Sequence, residues 1–137
     1  MPILDGNTLE FLSRSPDQTR RVGARLGPLL HAGDTLCLNG ELGTGKTTLV
    51  QGIAQGWGST DPVTSPTFVL VNNYRRADGQ QIAHLDAYRL KDAQEAENLD
   101  LDYLLANGPL LVEWPLRILD ALPKMHLWID LHYINEQ

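Results

Sequence analysis

Gly40-Glu41-Leu42-Gly43-Thr44-Gly45-Lys46-Thr47 is the stretch on which the reading of this chain turns, because it fits the spacing G-x-x-x-x-G-K-[ST]. The glycines let the backbone curl until successive N–H groups point at a single anion, where a Cβ would block the approach. Upstream, the apolar run Thr35 to Asn39 predicts a strand. Downstream, Leu49, Val50, Ile53, Ala54 and Trp57 share one face of a helix expected from Lys46 to about Trp57, which Gly58 ends. Strand, glycine turn and helix in that order set the positive end of a helix dipole beneath a bound phosphate. The candidate nucleotide-binding set is therefore Gly40, Leu42, Gly43, Thr44, Gly45, Lys46, Thr47 and Thr48. Lys46 would reach the β and γ phosphates, and the Thr47 hydroxyl would ligate Mg²⁺.

On the N-terminal side, Ser15-Pro16-Asp17-Gln18 predicts a helix start, with Ser15 as cap and Gln18 completing a capping box. Val22, Leu26, Leu29 and Leu30 should line one face, and Gly33 offers a left-handed stop. On the C-terminal side, Phe68 to Tyr74 and Gln81 to Asp86 flank the turn Asp78-Gly79, the pattern of a β-hairpin. Asp92-Ala93-Gln94-Glu95 offers a capping box before an acidic helical segment that breaks at Asn107-Gly108-Pro109. Leu110 to Glu113 predicts a short buried strand beside the phosphate-loop strand. Leu127, Ile129 and Leu131 alternate with His126, Asp130 and His132, predicting a half-exposed strand. With no repeat and no linker, residues 1–137 are expected to form one P-loop domain. The fold class is α/β, a mixed, mostly parallel sheet flanked by helices and carrying an antiparallel hairpin.

The composition limits what such a domain can do. Seventeen acidic against eleven basic residues leave the 137-residue chain at a formal charge of −6. Strong direct binding to a nucleic-acid backbone is not expected, because it requires clustered cations to release counterions. The lone Cys37 forms no internal disulfide, and its place between Leu36 and Leu38 predicts a small buried hydrophobe. Without a basic, apolar leader or a membrane-length apolar run, the expected location is the cytoplasm, with no membrane partner.

A phosphate-loop enzyme also needs a carboxylate at a neighbouring strand end for magnesium or its water shell, and a group to orient the attacking water. Glu113 and Asp86 stand at such ends, each alternatively a solvated acid. Glu41 should face solvent. The acidic set Asp92, Glu95, Glu97, Asp100 and Asp102 is a solvated helix face or a docking surface for a basic partner. In Thr64-Ser65-Pro66-Thr67-Phe68, Pro66 forces Ser65 extended and presents the Thr67 hydroxyl where many phosphate-loop proteins keep a threonine that senses the γ phosphate. Neither Asn-Lys-x-Asp nor Asp-x-x-Gly occurs, which disfavours a regulatory GTPase and leaves ATP as the expected nucleotide.

Together, the loop through Thr48, Ser65-Pro66-Thr67-Phe68, His84-Leu85-Asp86-Ala87-Tyr88-Arg89-Leu90 and Val112-Glu113-Trp114 resemble the bacterial TsaE (YjeE) family. The resemblance runs from about Ser15 to Asp130 and departs at Leu116, where members often carry a further acid. It implies an ATPase of tRNA threonylcarbamoyladenosine (t6A) biosynthesis that does not itself modify tRNA. Such a protein docks on the TsaB–TsaD pair, which modifies adenosine 37 of ANN-reading tRNAs, and ATP hydrolysis resets that pair. By position, Thr47 and Glu113 would hold Mg²⁺, Asp86 would belong to the catalytic centre, and Thr67 would sit in a switch-like loop. Ser15 and Thr19 would lie near the base, and Trp114 would pack beside the site or serve as a core aromatic. The alternative is a small-molecule or nucleoside kinase with its acceptor pocket near Arg89. A nucleotide-binding scaffold without activity is disfavoured by the presence of Lys46, Thr47, Asp86 and Glu113.

Overall fold

The computed structural model describes residues 10–41, 44–63, 71–90, 93–97 and 99–132. Strands β1 (Thr35–Asn39), β2 (Val71–Arg75), β3 (Gln81–Asp86), β4 (Leu110–Glu113) and β5 (Leu127–Asp130) form a five-stranded sheet in the order β2-β3-β4-β1-β5. Every neighbouring pair is parallel except the β2–β3 hairpin. Its turn runs through Gly79, whose φ of +90° suits a residue without a Cβ. Central strands β1 and β4 are apolar on both faces, as expected where helices cover a parallel sheet on both sides.

Helices α1 (Pro16–Leu26) and α2 (Lys46–Trp57) cover one face. There Leu36, Leu38, Tyr74, Ile82 and Leu111 meet Leu49, Val50, Ile53, Ala54 and Trp57, all of them buried. The expected inward face of α2 is therefore the observed one. Each fully buried aliphatic side chain in this layer contributes on the order of 2 kcal/mol. The opposite face packs Cys37, Ala83, Leu85, Leu110 and Val112 against the short helices α3 (Ala93–Glu97) and α4 (Leu101–Asn107) and against Ile118 and Leu122. Cys37 is fully buried, and burial pushes its thiol pKa up to about 11.

The two helices on the first face approach through glycine. A Cβ on Gly52 would lie 2.2 Å from the Arg20 carbonyl oxygen, and one on Gly23 would lie 2.5 Å from that of Leu49. Alanine at either position would push α1 off α2. Ser15 caps α1 by accepting from the Gln18 N–H at 3.2 Å, but Gln18 reaches back to the N–H of Arg14, not to that of Ser15. The helix also stops earlier than its apolar spacing suggests. Pro28 opens a separate 3-10 turn at Gly27–Leu29, and Leu29 is left 67% exposed instead of facing inward. Gly33, at φ +93°, belongs to the next turn.

The acidic segment likewise divides. Asp100 adopts φ +54° and accepts from the Tyr103 N–H, so it caps α4 and does not lie on a continuous solvated helix face. The capping residue expected at Asp92 lies outside the described residues, as does the hairpin's start at 68–70. At the far edge, β5 is half-exposed, with Ile129 and Leu131 packed on one core and Trp128 on the other. No described helix is long and apolar enough to cross a membrane.

Candidate nucleotide site

The carboxyl ends of three parallel strands meet at one rim of the sheet, the position where open α/β sheets bind ligands. Leu38 pairs with Glu113 across β1 and β4, and Asp86 pairs with Glu113 across β3 and β4. Because paired residues of a parallel ladder share a face, both carboxylates stand on the side covered by α2. The chain leaves β1 at Gly40, where a Cβ would lie 2.8 Å from the Leu131 carbonyl and 2.8 Å from Thr44 Oγ1. Thr44 folds the loop on itself, its hydroxyl donating to the Glu41 carbonyl at 2.7 Å, while the Glu41 side chain is exposed as expected. Gly45 turns into α2 at φ +96°, and its carbonyl accepts the Leu49 N–H at 2.9 Å. Leu42 and Gly43 lie outside the described residues.

Lys46 is the centre of this site. Its side chain runs back under the loop, only 6% exposed, and Nζ donates to the Gly40 carbonyl at 2.5 Å. The ammonium also sits 4.1 Å from the centre of the Trp114 ring. Burial pushes its pKa below the usual lysine value, while Glu113 and Asp86 pull it back up. An ammonium carries three donors, and the loop carbonyl uses one. Phosphate oxygens would supply what the remaining donors need. Thr47 and Thr48 follow in the first turn of α2, both half-buried. The hydroxyl of Thr47 and the carboxylates at the strand ends are hard oxygen donors of the kind magnesium takes beside phosphate oxygens.

Glu113 is not a solvated strand end. It is 6% exposed, and its Oε2 lies 2.5 Å from Nε2 of the fully buried His84. His84 Nδ1 in turn lies 2.7 Å from the Tyr74 hydroxyl. His84 and Tyr74 were absent from the residues expected at the site. Alternation along β3 is the signal that points to His84, since it places the imidazole two residues before Asp86 on the same face. Asp86 is partly exposed and accepts the Tyr88 N–H at 2.9 Å, capping the 3-10 turn Ala87–Arg89.

Trp114 adopts φ +57°, which swings its ring from the end of β4 over Lys46, and it packs both there and against the second core. Its ring also meets Tyr88 at 5.2 Å, and Arg117 lies over Tyr88 at 5.0 Å. The start of α1 reaches the loop, because a Cβ on Gly45 would lie 4.0 Å from Thr19 Cγ2. Ser15 is engaged as the cap of α1, and the Thr19 hydroxyl is hydrogen-bonded to that of Ser13 at 2.7 Å. β5 closes the other flank. Asp130 accepts from Asn39 Nδ2 and from Trp128 Nε1, each at 2.9 Å, and the Asn39 bond is the chief cause holding its carboxyl below the usual range. Thr67, with all of 64–70, lies outside the described residues, as does the Arg89 side chain.

Residues 13–137 match the model of the family described as "Threonylcarbamoyl adenosine biosynthesis protein TsaE". Several relatives bear the name tRNA threonylcarbamoyladenosine biosynthesis protein TsaE. One, from Mycobacterium bovis, is 39% identical over 96% of this chain and 83% of its own length. Another, from Streptomyces coelicolor, is 48% identical over 69% of this chain and 66% of its own length. A third, from Bacillus subtilis, is 39% identical over 88% of this chain and 75% of its own length. Among solved structures, that of Bacillus subtilis YdiB superposes with a TM-score of 0.67 at 31% identity, covering 86% of this chain and 72% of that one.

Proposed function

The chain belongs to the TsaE family of tRNA threonylcarbamoyladenosine biosynthesis proteins, and on that premise we propose that it binds and hydrolyses Mg²⁺-ATP to act on the TsaB–TsaD pair. The observation that carries this reading is Lys46, a buried cation at the glycine loop that, among the described residues, makes one hydrogen bond, to the loop's own Gly40 carbonyl. A buried charge left short of partners is costly, and an anion on the loop relieves that cost. Lys46 would leave the Gly40 carbonyl for the β and γ phosphates, and the N–H groups of the first turn of α2 would meet the same charge.

Thr47 and Glu113 would hold the magnesium, which when bound would supply charge neutralisation at the phosphates. Asp86, on the same face and more exposed than Glu113, orients the attacking water. Trp114 excludes solvent from the flank of Lys46, which strengthens the attraction between that ammonium and a phosphate. Ser15 and Thr19, at the end of α1 beside Gly45, border the base. Thr67 senses the γ phosphate and transmits its presence to the TsaB–TsaD pair. The protein works in the cytoplasm as one ATPase domain, without binding tRNA strongly itself.

The test is ATP turnover without any acceptor, measured alone and with TsaB–TsaD, beside the affinity of that pair in ADP and in a non-hydrolysable ATP analogue. Slow turnover that rises with the pair is the expected result. Turnover that appears only with a small hydroxyl acceptor would replace this reading with a kinase. Thr67→Ala should keep ADP affinity while losing the difference between the two nucleotides in affinity for the pair.

A further inference from the structure

Three strands contribute to a buried polar chain of which the proposed chemistry uses Glu113 alone. Tyr74 on β2, His84 on β3 and Glu113 on β4 are 2%, 0% and 6% exposed, and they are linked at 2.7 Å and 2.5 Å. Burying three polar groups in line is costly unless each is satisfied. A hydrophobic trio would fill the same layer at lower cost, as Ile82 and Leu111 do beside it. That polar chain ends, moreover, on one of the two carboxylates whose charge acts on Lys46.

We propose that Tyr74 and His84 are positioning residues that aim the Glu113 carboxylate at the nucleotide's metal. The direction of the chain follows from its chemistry. A carboxylate only accepts, so the proton between His84 and Glu113 is carried by Nε2. In a neutral ring Nδ1 then accepts, and the Tyr74 hydroxyl donates to it. Tyrosine thus selects the tautomer, and the tautomer holds Oε2. Glu113 presents its other oxygen to the site in one rotamer, already desolvated and oriented before any ligand arrives. This is how buried outer partners tune the ligands of metal sites. The inference rests on the reading of Glu113 as a metal-holding residue.

The experiment compares His84→Leu, His84→Gln, Tyr74→Phe and Glu113→Gln with the wild type in turnover, Mg²⁺-ADP affinity by calorimetry, and ring-nitrogen NMR of the unloaded protein well above the ordinary histidine pKa. The expected NMR result in the wild type is the tautomer protonated at Nε2, with a mixture in Tyr74→Phe. His84→Leu should lower kcat by at least about tenfold with ADP affinity within about threefold. His84→Gln, whose amide nitrogen can still donate to Oε2, should recover most of that loss, and Tyr74→Phe should cost about two- to fivefold.

The opposite tautomer in the wild type, or wild-type kcat in His84→Leu while Glu113→Gln is impaired, would overturn the positioning role alone. Equal impairment of the Gln and Leu variants would also overturn it, as it would mark a purely structural contribution. Wild-type turnover in Glu113→Gln would instead overturn the reading of Glu113 and this inference with it. Should His84→Leu fail to fold, Tyr74→Phe, His84→Gln and the NMR result still decide.

Discussion

Two cations in this protein rest on tryptophan rings at nearly the same distance, Lys46 on Trp114 at 4.1 Å and Arg76 on Trp57 at 4.0 Å. Their surroundings differ completely. Arg76 donates to both Asp78 carboxylate oxygens, at 3.1 and 2.7 Å, to Gln80 Oε1 at 3.3 Å and to the Trp57 carbonyl at 3.1 Å. Its pKa is raised, chiefly by the hydrogen bonds to Asp78. The guanidinium staples the hairpin turn to the end of α2. Among the described residues Lys46 donates to one carbonyl, and burial lowers its pKa. The same cation–aromatic contact is thus part of a finished joint in one place and, on the proposed reading, part of an anion site in the other. Completeness of the partner set, not the contact itself, separates structure from function.

The sharpest way to break the comparison is to remove each cation. Lys46→Ala should fold, melt within a few degrees of wild type and weaken Mg²⁺-ADP binding by at least about 100-fold, roughly 2.8 kcal/mol. Calorimetry showing unchanged affinity would make Lys46 a structural cation like Arg76. Changing the ring under Lys46 should act less strongly. Trp114→Leu is expected to weaken ADP by about three- to tenfold and Trp114→Phe by less, since a ring face remains.

Arg76→Ala should do the reverse of Lys46→Ala, lowering the melting temperature by a few degrees with ADP affinity within about twofold of wild type. Arg76→Lys should fall between, as an ammonium cannot reproduce the fork that spans Asp78 and the Trp57 carbonyl. The smallest effect is in acid. Asp78 is held below the usual carboxylate range, first by Arg76, so its contribution exists above the ordinary carboxylate pKa and is lost as the pH falls through the folded value. The stability gap between wild type and Arg76→Ala should therefore narrow in acid, and melting curves that stay equally separated would show that Asp78 is not the partner that matters.

Local chemistry made much of the fold legible. The glycine loop, the inward face of α2, the Asp78-Gly79 hairpin turn and the buried β4 all follow from periodicities and turn residues acting over a few positions. Leu29 was misplaced for the same kind of reason. Its spacing continues the apolar face of α1, but Pro28 closes the helix into a separate turn before that face reaches it. Asp100 reads as one more charge on a helix until its left-handed backbone is seen to start a new one.

By itself, the sequence determined the order strand, loop, helix, the two carboxylates at strand ends, and the family to which the loop, His84 to Leu90 and Val112 to Trp114 belong. Those are properties of contiguous residues, and steric and hydrogen-bonding rules of short range suffice for them. Tertiary structure alone decided the strand order β2-β3-β4-β1-β5, which brings residues as distant as Leu38 and Glu113 side by side. It alone decided that Glu113 is bound to His84 instead of water, and that Trp114 covers Lys46. Such contacts join strands separated by tens of residues. Their geometry exists only once the sheet has formed and the helices have packed on it.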